Sequence, residues 1–88
     1  MTTHSETKYA FGSGSHGCLY DHREGPFDSK ESAIDAAIAL FEDALDEAQD
    51  AALRLALRRE HYSHLPRGAG ADYIELFEVA EDWSPEAV

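Results

Sequence analysis

The stretch Ala33-Ile-Asp-Ala-Ala-Ile-Ala-Leu-Phe-Glu-Asp-Ala-Leu-Asp-Glu-Ala-Gln-Asp-Ala-Ala52 decides the fold. Ile34, Ala37, Ile38, Phe41, Leu45, Ala48 and Ala52 recur at steps of three and four, the period of one apolar stripe along an α-helix. Asp35, Glu42, Asp43, Asp46, Glu47 and Asp50 fall on the other side. At about 100° per residue these acids cover roughly 140° of the circumference, which makes one continuous acidic face on a straight helix. Asp28 is placed as the N-cap, with Glu31 at the third helical position in the manner of a capping box, so the helix is expected to start near Ser29. After Asp50 the phase changes: Leu53 and Leu57 would lie on the acidic side, while Ala52, Leu55 and Ala56 keep to the apolar side. A bend or a second helix near Gln49-Asp50 accounts for this; a helix apolar on two faces is the other solution. The helical region is expected to end near His64, with Pro66 as its stop.

Strands are read on either side of this region. Lys8-Tyr-Ala-Phe-Gly12 and His16-Gly-Cys-Leu-Tyr-Asp21 read as a hairpin about Ser13-Gly14-Ser15, with Tyr9 and Phe11 on one face of the first strand and Cys18 and Tyr20 on one face of the second. His22-Arg-Glu-Gly-Pro26 reads as turn chemistry, and Arg67-Gly-Ala-Gly-Ala71 as a loop. Asp72-Tyr-Ile-Glu-Leu-Phe-Glu-Val-Ala80, rich in β-branched and aromatic residues, is the best strand. The expected architecture is α+β: a small antiparallel sheet, β-β-α(α)-β, covered on one face by a long or bent helix. The 88 residues make a single domain, 1–88, with residues 1–7 and about 82–88 expected to be flexible and Trp83 held.

The net charge of −11 is unevenly placed. Residues 28–50 hold eight acids against Lys30; residues 51–68 hold Arg54, Arg58, Arg59 and Arg67 against Glu60; residues 69–88 hold six acids and no base. Such a chain is repelled by phosphate backbones and anionic lipid, so neither direct nucleic-acid binding nor membrane binding is expected. Arg54 and Arg58 instead have acids of this chain for partners, such as Asp50 four residues before Arg54. The start of the chain is polar, no apolar run is long enough to span a bilayer, and Cys18 has no second cysteine to pair with. A reducing cytoplasm is the expected compartment.

No catalytic constellation is legible. Gly12-Ser-Gly-Ser-His-Gly17 has the letters of a dinucleotide fingerprint, but it precedes a strand where a helix N-terminus is required. Cys18 and His16 share a strand face without a third group to orient them. His61 and His64, three apart, and the hairpin set His16, Cys18 and His22 match no zinc-ligand spacing, so no metal and no cofactor is expected. The acids lie on a solvated face, whereas acid–base catalysis needs one carboxylate in a dry cleft. The chain is read as a binding protein and not an enzyme.

Gly14-Ser-His-Gly-Cys-Leu-Tyr-Asp21, the helix opening Phe27-Asp-Ser-Lys-Glu31, and Asp72-Tyr-Ile-Glu-Leu-Phe-Glu-Val79, taken with the small size and acidity, resemble the small acidic anti-CRISPR proteins encoded by phages and mobile elements. The resemblance implies inhibition by occupancy. An acidic, nucleic-acid-mimicking surface would sit on a basic DNA-binding site of a type I CRISPR–Cas effector subunit and block target DNA in the bacterial host cell. The residues expected to carry it are Asp35, Glu42, Asp43, Asp46, Glu47 and Asp50, with Glu75, Glu78, Glu81 and Asp82 as a second patch. The alternative is a non-enzymatic accessory or regulatory protein that self-associates or joins a complex through apolar surface, with Leu53, Leu57 and Trp83 as contacts.

Overall fold

The computed structural model describes residues 7–15 and 22–85. The chain is α+β: β1 (Lys8–Gly14), β2 (His22–Phe27), α1 (Lys30–Phe41), a 3-10 turn (Glu42–Ala44), α2 (Glu47–Glu60), β3 (Tyr62–His64) and β4 (Tyr73–Val79). The strands form one open antiparallel sheet in the order β2-β1-β4-β3, and both helices pack on one of its faces.

Among the described residues the sheet has one strand more than the sequence reading expects, and three segments change role. His22–Pro26, read as a turn, lies within the strand His22–Phe27. Its register with β1 pairs Phe11 with Glu24 and Tyr9 with Phe27, so Gly25 and Pro26 together stand opposite Ala10 as a bulge, with a cis peptide between them. Gly25 has φ of 146°, and a Cβ there would lie 2.8 Å from the Cβ of Ala10, so only glycine fits this crossing. Ser13 and Gly14 belong to β1, opposite Ile74 and Tyr73 of β4, and are not hairpin turn residues. The expected strand His16–Asp21 lies outside the described residues, as do residues 1–6 and 86–88 of the ends read as flexible. Tyr62–His64, read as the end of the helix, is instead the edge strand β3.

The helical region is two helices, and the break comes at Glu42–Asp46, earlier than the Gln49-Asp50 of the sequence reading. Ser29, one residue after the expected cap, accepts the Ser32 N–H in its side chain and opens α1. Ala33, Ile34, Ala37, Ile38 and Phe41 then bury one stripe against the sheet. Glu42 and Asp43 follow at the carbonyl end of α1, where negative charge opposes the helix dipole, and the chain tightens into the 3-10 turn. Leu45 is extended, and Asp46 begins α2 with a full capping box: its carboxylate accepts the Gln49 N–H at 2.7 Å, and Gln49 Oε1 accepts the Asp46 N–H at 2.9 Å. Glu47 and Asp50 sit in the first turn of α2 and Arg58 and Arg59 in the last, each sign on the end that the dipole favours. His61, in the left-handed region at φ of 63°, closes the helix.

This break resets the helical phase. Leu53 and Leu57 are buried and join Phe11, Ile74 and Leu76 of the sheet in the core, whereas Ala48 and Ala52 of the expected stripe are exposed. The face of the sheet away from the helices carries an aromatic group. Tyr62 stacks on Tyr73 with ring centres 5.8 Å apart, and Trp83 meets Phe77 edge-on at 5.8 Å, which holds the chain after β4.

Candidate functional site

Because α2 is a separate helix, the six helical acids are not one line of charge. They divide by what they face. Asp35 of α1 and Asp50 of α2 both bind Arg54, at 2.6 and 2.8 Å, and these two hydrogen bonds hold the guanidinium pKa above its ordinary value. One turn on, Arg58 makes a two-bond fork to Glu31, 2.8 Å for each, which draws the Glu31 pKa below the usual carboxylate range. Lys30 Nζ donates to the Arg58 carbonyl at 3.2 Å and closes the same seam. The arginines thus face acids of their own chain, as the spacing of Asp50 and Arg54 predicts.

The other four acids crowd the corner between the helices. Glu42 and Asp43 lie in the 3-10 turn, Asp46 is the cap of α2, and Glu47 is its first residue; all four are exposed. Asp46 is engaged with Gln49, but the carboxylates of Glu42, Asp43 and Glu47 meet no cation among the described residues. Four acids within six residues therefore direct their field to solvent.

The second patch lies elsewhere. Leu45, beside the corner, shares a hollow with Ser63 and Leu65, and Ser63 pairs with Ile74 near the start of β4. Glu78 lies at the far end of that strand, opposite Tyr9, with Glu81 and Asp82 in the exposed turn beyond it. Four residues of strand, roughly 13 Å, separate Ile74 from Glu78. Glu75 is half-buried on the opposite face of the sheet from Glu78 and is engaged in an interaction of its own. The ten acids are thus a paired seam, an exposed corner, and a dispersed group in which Glu78, Glu81 and Asp82 lie toward the far end of β4 and Glu75 near its start, opposite Tyr62.

His22 bonds Glu24 at 2.9 Å, His61 is the cap of α2, and His64 packs on Tyr62 at 5.3 Å; Cys18 and His16 lie outside the described residues. Among the described residues no group of three or more His, Cys, Asp or Glu is arranged to hold a metal ion. Leu53 and Leu57, expected as partner contacts in the apolar reading, are core residues, and among the described residues the exposed large apolar side chains are Leu40 and Leu55. No helix among the described residues is long and apolar enough to cross a membrane. Compared with known proteins, the chain matches no family model, no curated protein and no solved structure.

Proposed function

We propose that the protein is a non-catalytic inhibitor that works by occupancy, placing the acids of the α1–α2 corner on a basic, nucleic-acid-binding surface of another protein. The observation that carries this reading is the contrast in pairing: acids along the helix seam are neutralised by Arg54 and Arg58, whereas Glu42, Asp43 and Glu47 are exposed with no cation against them among the described residues. An acid cluster kept clear of the chain's own arginines retains its field for a partner. The resemblance to anti-CRISPR proteins supplies the class of target, the DNA-entry or PAM-reading surface of a multisubunit type I CRISPR–Cas effector in the bacterial cytoplasm.

The test is competition between this protein and target DNA for a purified type I effector, measured across a range of salt. Displacement of DNA that weakens steeply as salt rises is expected, because exposed charges are screened within about 8 Å at physiological ionic strength. Absence of competition sinks the reading. Salt-resistant association favours the accessory-protein alternative, for which Leu40 and Leu55 are the exposed contacts.

A further inference from the structure

The two edges of the sheet are built differently. On β2 the Gly25-Pro26 bulge distorts the edge, and Pro26 has no N–H to offer a neighbouring strand. On β3 the ladder is regular. Leu76 N–H donates to the His61 carbonyl at 2.7 Å and Leu65 N–H to the Asp72 carbonyl at 2.9 Å, so residues 61, 63 and 65 bond inward to β4. By the alternation of an antiparallel pair, the backbone N–H and C=O of Tyr62 point outward from the sheet.

Outside that edge runs a groove whose other wall is α2. Two hollows, of about 270 and 490 Å³, lie along the strand and are both lined by Ser63 and His64. The α2 wall is cut back to Ala52 and Ala56, so an incoming backbone can approach β3 closely. The groove begins at Leu45, beside the unpaired corner acids, and ends at Glu60. Arg59 is exposed on the solvent side of α2, so the charge preference is set from the corner end.

We propose that the β3 edge takes an extended cationic segment of the partner as a fifth strand, with small apolar side chains seated against Ala52 and Ala56 and basic ones directed to the corner. The inference rests on the reading that the partner presents a basic surface, and it adds the means of docking. Main-chain hydrogen bonds to Tyr62 supply affinity, and the groove supplies selection of alternate side chains.

The probe is a ten-residue peptide of alternating lysine and valine. Three comparisons accompany it: the same peptide N-methylated at alternate residues, a glutamate–valine counterpart, and the neutral groove-filling variants Ala52→Phe and Ala56→Phe, checked for an unchanged circular dichroism spectrum. The expected result is binding that slows amide exchange at Tyr62, falls at least tenfold on N-methylation, falls by a similar factor in either filled variant, and is absent for the glutamate peptide. Equal binding of the N-methylated peptide, or full binding to both filled variants, overturns the proposal. A Glu42→Lys, Asp43→Lys, Glu47→Lys variant separates the two readings. If it alone loses the peptide, the acidic-surface reading stands and the edge proposal falls. If only filling and N-methylation matter, the edge stands and the acidic-surface reading falls.

Discussion

Acids of one type, drawn from one short run of sequence, do opposite work in two places. Along the α1–α2 seam, Glu31, Asp35 and Asp50 are bound by Arg58 and Arg54 and contribute to how the helices lie together. At the corner, Glu42, Asp43 and Glu47 are turned to solvent and meet no cation among the described residues. The difference follows the capping box at Asp46, which starts α2 as a separate helix whose Arg54 reaches Asp35 of α1 as well as Asp50 of its own helix, while Glu42, Asp43 and Glu47 stay outside at the corner. A net charge of −11 therefore says little by itself; what matters is which charges the fold has already used.

The comparison presumes that apolar burial, and not the seam of ion pairs, holds the helices to the sheet. Leu57→Ala tests this most severely, since Leu57 is wholly buried between α2 and the sheet. A loss of about 3 kcal/mol in urea unfolding is expected from lost burial and the cavity left behind. A loss below about 1 kcal/mol would place Leu57 near the surface, as the straight-helix reading had it. Next in size is the corner reversal Glu42→Lys, Asp43→Lys, Glu47→Lys. Affinity for a basic partner should fall about 100-fold at low salt, because cations now face cations. Its melting temperature should stay near that of the parent: two substitutions favour the carbonyl end of α1 and one disfavours the amide end of α2. Arg54→Met is smaller again. With the pairs to Asp35 and Asp50 partly exposed, removal should cost about 1 kcal/mol in stability and leave partner affinity unchanged. If Arg54→Met instead strengthened binding markedly, the seam acids would belong to the docking surface and the division would dissolve.

Much of this arrangement is legible in the sequence, and the failures have specific causes. The stripe from Ile34 to Phe41 is recovered because three- and four-residue spacing has one geometric solution. The phase change is also visible, but the spacing alone puts it at Gln49-Asp50. The sharper signal is Asp46-Glu-Ala-Gln49, a capping pattern inside the apolar run, together with acids in the first turn and arginines in the last turn of the helix it opens. Reading that signal first would have turned Leu53 and Leu57 inward and separated the corner acids from the seam. The strand β3 has only three residues between a helix and Pro66, too few for a two-residue period to register. Gly25-Pro26 suggests a turn because these residues usually end strands, and the bulge opposite Ala10 appears only once β1 is beside it. The Asp50–Arg54 pair is local and was readable; Arg54–Asp35 and Arg58–Glu31 depend on how two helices cross, which no local pattern contains.

The least costly test of the comparison is acidity. Hydrogen bonds from Arg58 hold Glu31 below the glutamate value of 4.5, and Lys8, 2.7 Å from Asp28, holds that carboxylate below 3.8. A carboxylate whose folded pKa is depressed adds stability that is fully present above its unfolded pKa and is lost as pH falls through the folded one. The matching rise at Arg54 and Arg58 concerns guanidiniums that are charged throughout this range, and it has no effect here. Urea midpoints of the parent and of Arg58→Met should therefore differ by a constant amount from pH 7 down to about pH 5, then converge as Glu31 takes up a proton. Both side chains are about half exposed, so the separation will be small and will shrink with added salt. A gap that persists unchanged to pH 3 would mean that Arg58 acts through the packing of its methylene stem and not through the carboxylate. The seam would then be an apolar contact with charged ends, and the corner acids would differ from it in position alone.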